Sequence, residues 1–132
     1  MINTLHIGKL IYSRLTENEE LNQHLNNKVY PLVADNNVTF PYAVYQRNSV
    51  ISTYYNKDGI VEDDCNFSIM IVCASYEESI ELANLVRDIF TAKSIITDYL
   101  SIYNCRLSDA YEDYSSNSYI QRLNFTCKTT NN

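Results

Sequence analysis

Residues 61–91 constrain the fold more than any other stretch. From 61 to 74 the side chains alternate. Cys65, Phe67, Ile69, Ile71 and Cys73 fall on one face, and Asn66, Ser68, Met70, Val72 and Ala74 on the other. A period of two with one wholly apolar face describes a strand lying on a core. At Ser75 the period changes. Ser75-Tyr76-Glu77-Glu78 has the spacing of a capping box, in which a hydroxyl and a carboxylate satisfy amides of the first turn. Leu82, Leu85, Val86, Ile89 and Phe90 then recur at helical spacing, with Glu77, Glu81, Asn84 and Asp88 opposite them. A strand that runs into an amphipathic helix needs a second layer for both apolar surfaces. Ile80 lies off the stripe and is a candidate contact outside the core.

The flanking sequence supplies the remaining layers. Ile7, Leu10, Ile11 and Leu15 form an apolar stripe over a helix at 4–15. Thr16-Glu17-Asn18-Glu19 has capping-box spacing, so a second short helix is expected from Glu17, carrying Leu21 and Leu25. Residues 28–33 read as a short strand in which Pro31, lacking an N–H, suits an edge or an end. Residues 42–48 read as a stronger strand, and 49–60 as a hairpin with a long tip at Asn56-Lys57-Asp58-Gly59. Residues 94–99 are a connector, 101–111 and 119–128 are strands, 112–118 is a polar turn, and 129–132 is a frayed end. The expected architecture is α+β: two helices packed on one face of a mainly antiparallel sheet of four to five strands, in a single domain over 1–132. The step from strand to helix to strand across 61–111 is where a parallel pair is expected.

The composition narrows function mostly by exclusion. The 132 residues are 45% hydrophobic and 20% charged, as in a folded domain. No apolar run approaches the ~20 residues of a membrane span. The start lacks the basic and apolar segments of a signal peptide, so a cytoplasmic chain without a membrane partner is expected. The net charge is −6 and no Lys/Arg cluster occurs, which argues against tightly bound nucleic acid. Only two glycines are present, too few for a phosphate-cradling loop. The chain has twelve tyrosines. They suit surfaces that become interfaces, and a codon bias toward A and T would yield the same abundance.

No residue set has the spacing of a catalytic or metal centre. Cys65, Cys73, Cys105 and Cys127 lie on the apolar faces of their strands, where free cysteines act as small hydrophobes. Glu62-Asp63-Asp64 and Asp109, Glu112, Asp113 flank strand ends. Converging, they would make a divalent-ion site or an acid pair, but their spacing matches no metal loop and solvated carboxylates are the commoner outcome. A hydrolase would depend on residues such as Asp63 and Asp113. His6 and His24 have no partner at triad spacing. No enzyme activity, cofactor or metal is expected.

The ordered set of short motifs resembles a known family. Val29-Tyr30-Pro31 is followed by Phe40-Pro41-Tyr42-Ala43-Val44-Tyr45. Then come the strand ending at Ala74, the helix with Tyr76-Glu77 and Leu85-Val86-Arg87, Tyr111-Glu112, and Tyr119, Arg122, Leu123 and Phe125. Over residues 4–128 this resembles the tail-completion, or tail-terminator-like, proteins of long-tailed bacteriophages and prophages. The resemblance implies a structural protein of the virion tail, assembled in the host cytoplasm. Such proteins form a homo-oligomeric ring of six subunits that caps the tail tube, ends its polymerisation and joins it to the head. The implied partners are the tail-tube protein and the head-connector protein. A small cytoplasmic α+β adaptor or binding module is the alternative.

Two surface expectations follow. The sheet face away from the helices should expose Met70 and Val72, and the hairpin tip should present Tyr54 and Tyr55. These four are the candidate subunit contacts, unless the hairpin covers the patch within one chain. Glu62, Asp63 and Asp64 are the candidates for an acidic wall facing the ring lumen, where DNA must slide without sticking.

Overall fold

The computed structural model describes residues 2–57 and 59–131, with the side chains of 54–56, 60 and 61 outside the described set. A single turn of 3-10 helix, Thr4–His6, leads into α1, Ile7–Glu17; α2 spans Glu19–Leu25 and α3 spans Tyr76–Thr91. The strands are β1 (Val29–Pro31), β2 (Tyr42–Asn56), β3 (Gly59–Cys73), β4 (Ile95–Ile96), β5 (Ser101–Ser115) and β6 (Ser118–Thr130). They form one six-stranded sheet in the order β1-β2-β3-β6-β5-β4. The class is α+β and the sheet is mainly antiparallel, with six strands among the described residues instead of four to five and three α-helices instead of two.

The parallel pair lies elsewhere than expected. It is β1 with β2, registered from Val29↔Ala43 to Pro31↔Tyr45. The expected strands at 61–74 and 101–111 are not neighbours, because β6 lies between β3 and β5. Pro31 ends an edge strand, the place where its missing N–H costs no ladder bond.

α2 and α3 start at side-chain caps, whereas α1 has none. Ser75 accepts from the amide of Glu78 at 3.2 Å, as the capping-box spacing required. At α2 the cap is Asn18, which accepts from the amide of Leu21 at 2.9 Å, and Thr16 instead donates back to the carbonyl of Tyr12. Two capping residues stood two positions apart, and the amide side chain took the role.

The core lies between the helices and one sheet face. Rows across the strands share a face: Tyr45–Ile69–Leu123–Ala110, Arg47–Phe67–Phe125–Leu107 and Val50–Cys65–Cys127 all point toward the helices. Phe67, Phe90 and Phe125 pack as a triangle with ring centroids 5.1 to 5.7 Å apart. Gly8 lets α1 approach β2, since a Cβ there would stand 3.1 Å from the ring of Tyr45. Leu82 is fully buried, whereas Leu85 is partly buried against the core.

The end of the chain is not frayed as expected. β6 continues through Thr130, Thr129 is fully buried, and its hydroxyl lies 2.6 Å from that of Thr4. Asn131 also accepts from the amide of Asn3. Residue 132 lies outside the described residues.

Candidate functional site

The sheet face away from the helices is the largest surface the helices leave open. Register places its rows as Tyr42–Val72–Ile120–Asp113, Val44–Met70–Arg122–Tyr111, Gln46–Ser68–Asn124–Asp109, Ser49–Asn66–Thr126–Arg106 and Ile51–Asp64–Lys128–Tyr103. Most of these residues are polar, as on an antiparallel sheet with one wet face. Their hydrogen bonds run across the strands. Asn66 donates to Ser49 at 2.8 Å, Arg122 to Ser68 at 3.2 Å and Asn124 to Asp109 at 2.6 Å.

This changes the expected apolar patch. It is confined to one corner, and there Val72 and Val44 are only 2% and 8% exposed, flanked by Tyr42, Met70 and Ile120. Met70 is half-buried. Long neighbours on adjacent strands close over the small ones, so Val72 presents almost no surface to a partner. The side chains of Tyr54 and Tyr55 lie outside the described residues. Their backbone belongs to β2, paired with Glu62 and Ile60. Past Ser52↔Asp63, β2 and β3 have no strand beside them but each other among the described residues, so the hairpin runs on beyond β6 as a two-stranded arm.

The acidic run is split by the pleat of β3. Asp63 points toward the helices, is buried, and accepts from the Ser52 hydroxyl at 3.0 Å. It cannot line a solvent-filled lumen, and this corrects its place in the expected acidic wall. Glu62 and Asp64 lie on the open face, where Lys128 approaches Asp64 at 2.5 Å and Glu62 at 3.5 Å. Tyr103 donates a hydrogen bond to Glu62. That bond holds the Glu62 carboxyl below its ordinary range, with Lys128 adding to it. Asp64 in turn raises the Lys128 ammonium.

A group whose folded pKa is depressed stabilises the fold above its unfolded pKa. The contribution is lost as pH falls through the folded value. Tyr103→Phe should therefore move the Glu62 titration up toward the ordinary glutamate value and shrink the loss of stability on acidification. Carbon-detected NMR of the Glu62 carboxyl reads this directly; an unmoved midpoint would contradict the assignment.

The second acidic set also divides. Glu112 accepts from Tyr76 at 2.9 Å and from Gln121 at 3.1 Å on the helix side, while Asp109 and Asp113 lie on the open face. Among the described residues, no group of three or more His, Cys, Asp or Glu side chains is placed to hold a metal ion. His24 stands 3.3 Å from Glu78, joining α2 to α3.

The four cysteines are free. Cys127 meets Cys105 and Cys65, and these contacts with burial push its thiol up. Burial pushes Cys73 up to about 12. An open cleft of about 650 Å³, with Arg14, Glu17, Asp88 and Lys93 in its walls, lies where α1, α3 and β4 end. Sequence reading missed it because its walls come from two stretches, 14–18 and 88–96, far apart in the chain.

No family model and no curated protein sequence matches this chain. Among solved structures, the chain shares its fold with a chain in the virion of a native gene transfer agent particle. The TM-score is 0.66 and the identity 15%, over 92% of this chain and 90% of that one. No described helix is long and apolar enough to cross a membrane.

Proposed function

We propose that this chain is a structural protein of a phage-like particle that works as a ring at the end of a tail tube, stopping tube growth and joining tail to head. The observation that carries the reading is the common fold with a virion chain across nearly the full length of both. The order of short motifs resembling tail-completion proteins supports the same role. A six-membered ring, contacts with tail-tube and connector proteins, and the absence of catalysis belong to this reading.

The geometry suits it in two respects. The projecting β2–β3 arm, with Tyr54 and Tyr55, is a means of reaching a neighbouring subunit, and the half-buried Met70 lies at the rim of the apolar corner. On the open face Glu62, Asp64, Asp109 and Asp113 outnumber Arg106, Arg122 and Lys128, so a lumen lined by this face repels the DNA phosphates. Val72 supports the corner from beneath.

The test is Tyr54→Ser with Tyr55→Ser, followed by counting of finished particles. Loss of heads joined to tails is expected while the purified variant keeps its thermal stability. Normal numbers of joined particles would refute the arm contact.

A further inference from the structure

The sheet is open on both outer sides, and the two openings differ. β4 covers β5 only through Ile95↔Ile102 and Ile96↔Ser101, so from 103 to 115 β5 has no strand on its outer side among the described residues. β1 covers β2 only over 43–45, leaving 46–56 open in the same sense. Along β5 every residue from 108 to 115 is exposed, whichever face it points to. A strand with both faces and one edge in water is a template for pairing with another chain.

Charge and direction narrow the partner. Residues 108–115 carry Asp109, Glu112 and Asp113 and no basic side chain, whereas β2 carries Arg47 and no acidic one. Pairing β5 with a second β5 would set like charges against one another. Pairing it with β2, which has no acidic side chain, avoids that repulsion. Successive antiparallel ladders from β2 through β3 and β6 leave β5 running opposite to β2. Rotation about an axis roughly along the strands keeps those directions, so β5 meets the β2 of the next copy antiparallel. The contact is head-to-tail, the kind that repeats around a ring.

The geometry points to a subunit interface in which the open edge of β5 pairs with the open edge of β2 from a second copy of this chain, extending one sheet from subunit to subunit. The regular stretches, free of register shifts, are 109–115 on β5 and 49–52 on β2. Setting Tyr111 opposite Ile51 keeps both on the open face and brings Asp113 opposite Ser49 and Glu112 opposite Val50, each pair sharing a face. Ile51 and Tyr111 are 59% and 53% exposed, large apolar side chains that such pairing would cover.

The inference rests on the ring reading, and the test separates the two. Full-length protein carrying Ile51→Cys and Tyr111→Cys is treated at high concentration with a short bismaleimide. Each single variant is treated alongside, and all are imaged by electron microscopy. The expected result is a ladder of covalent oligomers from the double variant and none from either single variant. Covalent dimers from Tyr111→Cys alone would mean that β5 pairs with itself, overturning the inference. Rings without a ladder would overturn the edge pairing and leave the ring reading standing. Monomer throughout, with no ladder, would overturn both.

Discussion

Replacing Phe67 by alanine is expected to destabilise the chain by about 3–5 kcal/mol, the range for truncating a buried aromatic. Phe67 sits mid-strand on β3, fully buried, stacked on Phe125 of β6 and edge-on to Phe90 of α3. It touches both layers at once, so neither can move inward to fill the void without pulling away from the other. Aromatic pairs of this kind add roughly 0.5–1.5 kcal/mol beyond area burial. Domains of this size are stable by about 5–15 kcal/mol in total, so the variant should melt about 10–20 °C lower. Tyr111→Ala, on the open edge, is the control and should stay within about 0.5 kcal/mol. Equal melting points for the two variants would show that the aromatic triangle does not organise the core.

The same triangle shows what was legible in the sequence. Phe67 and Phe90 fell on their apolar faces by counting, because β3 is regular through its centre and α3 has a single stripe. Where strands bend, counting failed. β2 runs on to Asn56, but its register shifts at Arg47/Ser49 and Ser52/Tyr54 break the period of two. Residues 49–56 therefore look irregular. On β5 the register also shifts between Tyr103 and Arg106, with Asn104 at φ 53°, yet Cys105 still packs against the core beside Leu107, as the alternation expected. The last residues of β5 read as a polar turn because both their faces are wet, and nothing forces alternation on a strand that buries neither side. The tight turn is only Ser116-Asn117, both in the left-handed region.

The candidate surface was less legible for a related reason. Periodicity assigns Met70 and Val72 to the open face but does not say what stands beside them. The register supplies Tyr42 and Ile120, which close over Val72. It also turns Asp63 inward, away from Glu62 and Asp64. The long open edges of β2 and β5 have no sequence signature, since an edge is defined by the strand that is missing.

The central claim is that the chain ends a tail tube and joins it to a head. Deleting its gene from the particle that encodes it, and imaging the products by electron microscopy, tests that claim most directly. The account predicts separate heads and tails, with tubes of irregular and excessive length. Heads joined to tails of normal length in the deletion would contradict it.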